Sequence, residues 1–313
     1  MRHATLRQLK VFVSAATHLS FSRAAAELHL TPPAVSIQIA QLEREAGQPL
    51  FDRLGKRLHL TRAGEALLRS STAVLSQLRS AGEELAALRG IEGGVLNVGV
   101  ISAGDFFFPT LLAEFCARHR AVQVSLGVCN RDELIRRLDH NLVDLAVMSE
   151  APEGPQFAAA PFATHPIVVI AAPGHRLARA RRLSLATIAR EPLIAREPGS
   201  LTRAVQDETL RRARHKASIA IEAASNETVK QVVAAGFGIA FMSAHAIAQE
   251  VALKRLTVLD VAELPARRRW YSVHRRGKHL PAVAQAFASF LAAEGEATIR
   301  RLVPPKLRPL WSE

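Results

Sequence analysis

Cysteine is scarce in this 313-residue chain, which holds only Cys116 and Cys129. Two cysteines are too few for a disulfide-stapled scaffold. No apolar run approaches the roughly 18 residues that a membrane-spanning helix needs. The opening residues also lack the apolar stretch and the small-residue cleavage site of a signal peptide. We therefore expect a cytoplasmic protein without a membrane partner.

Motifs of common catalytic and cofactor sites are missing as well. The sequence has no Walker A glycine loop, no HExxH or cysteine-paired zinc spacing, and no Gly-x-Ser-x-Gly nucleophile elbow. Gly236-Phe237-Gly238 begins like a dinucleotide motif, but its third glycine and acidic follower are absent. We therefore predict that the chain is not an enzyme and has no metal site or resident cofactor.

Positive charge, in contrast, is in excess. The formal net charge is +13, of which residues 1–60 contribute +4, residues 61–92 zero and the remainder +9. Such an excess of positive charge suggests a polyanionic partner. Most of the excess lies beyond residue 60, so part of it is expected to serve an anionic ligand or solubility.

Helix-start signals divide the first sixty residues into three short helices. The first opens with a capping box formed by Thr5 and Gln8. Ser22 is a candidate cap for the second. Thr31 followed by Pro32 starts the third, and Gly47 ends it. Three helices with short connections, the last two close together, predict a helix-turn-helix.

A basic hairpin around Gly55 follows these helices. Its cations would face DNA phosphates, which give affinity and register but no sequence choice; they are Arg53, Lys56 and Arg57. Bases would be read by the exposed start of the third helix, through Thr31, Pro32, Pro33, Ser36 and Gln38. The alternative is a three-helix packing module with no DNA partner.

Residues 62–89 contain no proline and predict one long helix. Seven residues along it follow the spacing of a heptad seam: Leu67, Ser71, Val74, Leu78, Ala81, Leu85 and Leu88. A helix this long between two compact regions has little of its own chain to cover it, so we predict that it pairs in a homodimer. Two DNA half-sites one turn apart require such two-fold symmetry. The alternative is that this face packs on its own domain.

From residue 93 onward, strands and helices alternate, which predicts an α/β region with a parallel sheet. Prolines at 152, 155 and 161 mark a crossing into a second region, whose first strand is expected at 167–171, and the chain returns after Pro265. The predicted fold is a two-lobed α/β effector clamp like that of periplasmic binding proteins, preceded by an all-α-type winged helix-turn-helix and a linker helix. The expected domains are 1–60, 61–92 and 93–313, with lobe I at about 93–163 and 266–303 and lobe II at about 164–265.

Ligands of such sheets bind beyond the carboxyl ends of the strands, at helix N-termini. The residues expected there are Ser102, Asn130, Arg131, Arg196, Gly199, Ser200, Thr202, Arg203 and Asn226. They offer hydroxyls, backbone N–H groups and several cations, which predicts an anionic effector. Helix capping is the alternative for each residue taken singly. The loop 196–203 is the exception, because it is basic, contains glycine and lies at a strand-to-helix turn.

The stretch LRQLKVFVSAATHLSFSRAAAELHLTPPAVSIQIAQLEREAGQPLFDRLGKRLHLTRAG, residues 6–64, resembles the LysR-type transcriptional regulators. The resemblance implies recognition-helix contacts from Thr31, Pro32, Pro33 and Ser36 and a wing contact from Arg53. It also implies a homotetramer that binds promoter DNA and works with RNA polymerase. Many relatives have glutamine where this chain has Pro32 and arginine where it has Ile37, so fewer polar base contacts are expected here.

Residues 131–148, 225–245 and 259–291 resemble the Calvin-cycle branch of that family, which regulates RuBisCO operons. This implies an effector such as ribulose 1,5-bisphosphate, another sugar or organic phosphate, or NADPH. Leu201 stands where we expect glycine in that branch. Two alternatives stay open: a regulator of aromatic-acid or amino-acid metabolism with a non-phosphorylated acid effector, and a solute-binding protein or enzyme that shares the clamp.

Overall fold

The computed structural model describes residues 1, 4–54, 57–87, 93–215 and 218–311, with backbone only at 53–54, 57, 83–84 and 86–87. The chain divides into two compact units. The first comprises residues 1–91, 136–143 and 279–282, and the second comprises the remainder.

The first unit opens with three helices: α1 (Leu6–His18), α2 (Phe21–Glu27) and α3 (Pro32–Ala46). The capping box at Thr5 is confirmed, because its hydroxyl accepts from the Gln8 backbone N–H while the Gln8 side chain returns to the Thr5 N–H. The expected cap of α2 was wrong. Ser20, in an extended conformation, accepts from the Arg23 N–H, whereas Ser22 already lies inside the helix.

The third helix begins and ends where the sequence predicts. The Thr31 hydroxyl caps it by accepting from the Ala34 N–H, and Gly47 ends it in the left-handed region at φ 72°. Its inward face is fully buried against the other two helices: Val35, Ile39 and Leu42. Burial of that face fixes which residues of α3 point outward.

A two-stranded antiparallel hairpin follows, formed by β1 (Phe51–Leu54) and β2 (Arg57–Leu60), and it leads into α4 (Arg62–Ala87). Along the predicted seam of α4, Ser71 is buried. Val74, Leu78 and Leu85, by contrast, are 44%, 49% and 62% exposed. Leu88 lies outside the described residues. This part of α4 therefore presents an apolar stripe that a single chain leaves exposed.

The second unit contains a seven-stranded mixed sheet and a small two-stranded parallel sheet. Its strands are β3 (Gly94–Ile101), β4 (Val122–Cys129), β5 (Leu145–Met148), β6 (Phe157–Ala171), β7 (Leu193–Arg196), β8 (Ile219–Ala223), β9 (Ala240–Ser243), β10 (Thr257–Val258) and β11 (Ala266–Arg275). Its helices are α5 (Phe108–Arg118), α6 (Arg131–Asp139, whose end belongs to the first unit), α7 (Leu185–Ala189), α8 (Leu201–Arg212), α9 (Asn226–Ala234), α10 (Ala248–Ala252) and α11 (Ala282–Leu302).

Strand β6 is longer than its sequence suggests. A strand was expected only at 167–171, but β6 runs from 157 through Pro161 and Pro166. A register shift opposite Trp270 and Tyr271 of β11 accommodates this stretch, as β-bulges do. The first part of β6 pairs with β11, and from Ile167 onward it pairs with β9 and β10. β6 therefore joins β11 and the strands beyond it to β9 and β10.

Order in the sheet is β10-β6-β11-β5-β3-β4, with β9 beside β6. β3 is parallel to both β4 and β5, as the alternation of strands and helices predicts. The carboxyl ends of β3, β4 and β5 therefore meet at one edge of the sheet, and the following loops start there. Over the described residues, no helix is both long and apolar enough to cross a membrane.

Candidate functional site

The outward face of α3 carries the residues expected to read DNA. Thr31, Pro32, Pro33 and Ser36 are exposed, and Gln38 is half-buried. These side chains surround the N-terminus of a helix whose opposite face is locked into the core. That geometry leaves the first two turns of α3 free to enter a DNA groove.

In the hairpin, Arg53 on β1 pairs with Leu58 on β2, and Leu54 pairs with Arg57. The two arginines are therefore one residue out of register with each other. The side chains of both arginines, and Lys56 altogether, lie outside the described residues. Their contacts with phosphate remain a prediction.

A second candidate site is a cleft in the second unit, with a volume of about 540 Å³ that includes the space open to solvent. It lies at the ends of β3, β4, β5 and β7 and at the start of α8. Seven predicted residues line it: Ser102, Asn130, Arg131, Arg196, Gly199, Ser200 and Thr202. Gly199 has φ +90°, a conformation that L side chains rarely adopt, and it allows the tight turn before α8.

Arg196 is buried in the cleft wall, and its guanidinium is held on all sides. Nε and one terminal nitrogen donate to the Glu197 carboxylate at 2.7 and 2.9 Å, and the other terminal nitrogen donates to Asn226 Oδ1. The first terminal nitrogen also reaches the Ala224 carbonyl at 3.3 Å. Arg196 therefore shapes the wall of the cleft and has little free hydrogen-bonding capacity for a ligand.

Asn226 and Arg203, although expected in the cleft, lie outside its lining. Asn226 opens α9 and holds Arg196 from behind. The Arg203 guanidinium points the other way, because it donates to the Arg196 carbonyl at 3.0 Å, to Glu222 at 2.9 Å and to Asp207 at 2.9 Å. Both residues thus brace the β7–α8 turn without meeting the cleft.

Arg131 is the cation of the cleft with unused donors. Its Nε is 3.8 Å from the Glu150 carboxylate, beyond hydrogen-bond distance, and has no hydrogen-bond partner among the described residues. Glu150 is 59% exposed in its side chain, so this attraction is weak in water. An incoming anion can therefore replace Glu150 as the partner of Arg131 at a small cost in free energy.

Together, the lining holds two arginines and two glutamates, so its charged pairs balance. This differs from the expected set of several free cations. The remaining attraction for an anion comes from Arg131, from the hydroxyls of Ser102, Ser149, Ser200 and Thr202, and from the N-terminus of α8. Within the described chain, the Ser200 hydroxyl makes no cap hydrogen bond to α8 and is left available.

His165 lines the same cleft and was missed by the sequence reasoning. It stacks on Trp270 with ring centroids 4.4 Å apart, and its Nε2 is 2.9 Å from the Ser243 hydroxyl. Burial, helped by His245 and Arg268, holds the pKa of His165 well below its ordinary value. The ring is therefore neutral at pH 7 and offers a hydrogen bond, not a charge. The local sequence contains no signal for this residue, because β6 brings it to the cleft from a part of the chain outside the predicted loop.

The described residues include no group of three or more His, Cys, Asp or Glu side chains arranged to hold a metal ion. What the cleft offers is recognition chemistry: one available guanidinium, hydroxyls, a helix N-terminus and a neutral imidazole.

Comparison with known proteins decides the family. Residues 6–65 match the bacterial regulatory helix-turn-helix protein, lysR family, and residues 89–296 match the LysR substrate binding domain. The chain belongs to the LysR family of transcriptional regulators. Family membership makes it a transcriptional regulator rather than an enzyme. It also confirms the two-part plan of a helix-turn-helix followed by a periplasmic-binding-protein-like clamp.

Two curated relatives match almost the whole chain, and one solved regulatory domain matches about two thirds of it. The RuBisCO operon transcriptional regulator of Acidithiobacillus ferrooxidans is 42% identical over 299 residues, which cover 95% of this chain and 97% of the relative. The HTH-type transcriptional regulator CbbR of Rhodospirillum rubrum is 41% identical, covering 94% of this chain and 98% of the relative. The CcmR regulatory domain of Synechocystis PCC6803, solved in complex with 2-PG, is 36% identical with a TM-score of 0.61, covering 64% of this chain and 96% of that domain.

Proposed function

We propose that this LysR-family regulator activates carbon-fixation operons, including those for RuBisCO, in response to an anionic metabolite. The observation that carries the proposal is identity above 40% to two regulators named for the RuBisCO operon, over nearly the full length of both chains. The likeness extends across both the helix-turn-helix and the clamp, so it covers the parts that choose DNA and the parts that bind effector.

The effector we propose is a phosphorylated or otherwise anionic small molecule held in the cleft. Arg131 supplies the charge, the N-terminus of α8 supplies backbone N–H groups, and Ser102, Ser200 and Thr202 supply hydroxyls. Candidates are 2-PG, which the CcmR domain binds, ribulose 1,5-bisphosphate, other sugar or organic phosphates, and NADPH. It is an exchangeable effector rather than a resident cofactor.

The partners that we propose are double-stranded promoter DNA, further copies of the chain and RNA polymerase, all in the cytoplasm. Thr31, Pro32, Pro33, Ser36 and Gln38 read the bases, and Arg53, Lys56 and Arg57 bind phosphates. The domain division 1–60, 61–92 and 93–313 is part of the same proposal.

Self-association rests on the apolar stripe of α4. Val74, Leu78 and Leu85 are each more than two-fifths exposed, although they occupy heptad positions. A second copy of α4 would bury them, and a homodimer so formed presents two copies of α3 to two half-sites. Pairs of dimers would then form the homotetramer. Leu78→Asp should shift the protein toward monomer in sedimentation velocity. Gln77→Asp, on an exposed neighbouring position, is the matched control.

The experiment for the proposed function is DNase footprinting of the full-length protein on RuBisCO-type promoters, with and without each candidate anion. The expected result is an interrupted palindrome whose protected length or bend changes with a phosphorylated effector. A footprint that responds to benzoate and to no phosphorylated compound would instead support regulation of aromatic-acid metabolism. Absence of any protected palindrome would refute the assignment of promoter.

A further inference from the structure

The outward face of α3 is more apolar than a DNA-reading helix requires. Ile37 is 56% exposed, a larger fraction than any other large apolar side chain of α1–α3. Pro33 and Ala40, which are also exposed, lie four residues before and three residues after it and therefore on the same side of the helix. A single exposed isoleucine would be ordinary, but here an exposed apolar stripe runs opposite the buried one.

Hydrogen-bond donors are few along this stripe. Ser36 offers one hydroxyl, Gln38 is half-buried, and the Thr31 hydroxyl oxygen already accepts from the Ala34 N–H. Arg44, seven residues after Ile37, donates its Nε–H to the Ala40 carbonyl at 3.4 Å. Gln41, further along α3, accepts from the Gln8 side chain at 3.2 Å and is drawn toward α1. Ile37 itself can donate to neither a guanine edge nor a phosphate.

In the major groove, the apolar group that bases present is the C5-methyl of thymine. A branched side chain such as Ile37 can bury that methyl and exclude cytosine, which presents a polar amino group and no methyl on that edge. We propose that Ile37 is a specificity-determining residue that contacts the thymine methyl in each half-site of the operator. This inference rests on the proposed function, since it requires α3 to lie in the major groove of promoter DNA.

The test replaces thymine by deoxyuracil, which removes the methyl and leaves every hydrogen-bonding group. A promoter fragment that the full-length protein retains is amplified with dTTP or with dUTP, and the two forms compete for binding. Burying one methyl-sized group changes affinity by about fourfold, so two half-sites predict a preference of about fifteenfold for thymine DNA. Ile37→Ala, which is expected to fold because the side chain is exposed, should lose most of this preference. Ile37→Val, which keeps a branched side chain, should retain most of the preference.

Single deoxyuracil substitutions along the fragment then locate the methyl, and one position in each half-site should account for the loss. Equal binding of the wild type to both forms would overturn the inference, as would an Ile37→Ala protein that keeps the full preference. A wild type that selects the promoter but ignores the methyl refutes the inference alone. A protein that selects no promoter fragment refutes the proposed function, and the inference falls with it.

Discussion

Truncation of Arg131 should weaken effector binding, whereas truncation of Arg203 should leave it nearly unchanged, because only Arg131 has free donors in the cleft. Arg131→Ala removes the cation whose Nε has no hydrogen-bond partner in the described chain. A hydrogen bond between charged groups contributes ~1.5–3 kcal/mol, which corresponds to about 10- to 150-fold in Kd. Because the Arg131 side chain is 30% exposed, solvent weakens the interaction, and a loss at the lower end, about tenfold, is expected.

Arg203→Ala is the matched control, since it removes a nearby arginine of the β7–α8 turn that does not line the cleft. Its pairs with Asp207 and Glu222 involve carboxylates that are 53% and 48% exposed, so each contributes ~1 kcal/mol or less. We expect a modest loss of stability and a Kd within about threefold of the wild type.

The assay is isothermal titration of the full-length protein with 2-PG and ribulose 1,5-bisphosphate, alongside urea unfolding of each variant. A tenfold loss for Arg131→Ala with nearly unchanged binding for Arg203→Ala is the predicted pattern. The reverse pattern would show that the effector lies on the far side of the β7–α8 turn and that the cleft assignment is wrong.

Three further predictions concern stability. Burial lowers the pKa of His245 to about 4 in the folded protein, against about 6.5 in the unfolded chain. The free energy of unfolding that the neutral ring contributes is therefore complete above pH 6.5 and falls by ~3 kcal/mol as the pH drops to 4. His245→Leu should flatten this pH dependence in urea titrations, and an unchanged slope would contradict the prediction. Lys278→Met removes the cation 3.0 Å from the buried Asp144 carboxylate and should cost ~3–5 kcal/mol, with Asp144→Asn restoring part of the loss in the double variant. Gly64→Ala places a Cβ 2.1 Å from the Leu50 carbonyl oxygen and should destabilise the DNA-binding part by ~1–3 kcal/mol or more, whereas a neutral effect in thermal unfolding would show that α4 starts differently.

Local signals predicted the helices near the N-terminus because caps and prolines act within a few residues. Thr5, Thr31 and Gly47 mark boundaries that the structure reproduces. Ser22 was predicted as the cap of α2 because serine favours that position. The left-handed Leu19 ends α1 one residue before Ser20, and the cap is therefore Ser20. Such a choice depends on the preceding helix and not on the cap itself.

Long-range pairing explains most of what the sequence did not predict in the second unit. β6 continues through two prolines because β11 pairs with it from Phe157 to Ile167 and takes up the irregularity in a bulge. From the sequence pattern alone, those prolines indicate an interruption of the strand. The short helix α10 and strand β10 were likewise absent from the sequence reading, since each has few residues and little pattern of its own.

Within the cleft, the sequence predicted the loop but not the direction of its side chains. Arg196 and Arg203 both belong to the basic turn before and within α8, yet the first faces the cleft wall and the second faces Glu222 on β8. His165 was not predicted because it comes from a crossing strand about thirty residues away in sequence from the predicted loop. Sites assembled from distant strands carry little local signal.

We propose that this LysR-family protein acts on carbon-fixation promoters. Selection of genomic DNA by the protein tests this proposal directly. Fragments retained by the full-length protein at physiological salt are recovered and sequenced, with Arg53→Ala as the weakened control. We expect enrichment of promoters beside RuBisCO or phosphoribulokinase genes. Enrichment of unrelated operons, with none of these promoters, would contradict the proposed regulon while leaving the family assignment in place.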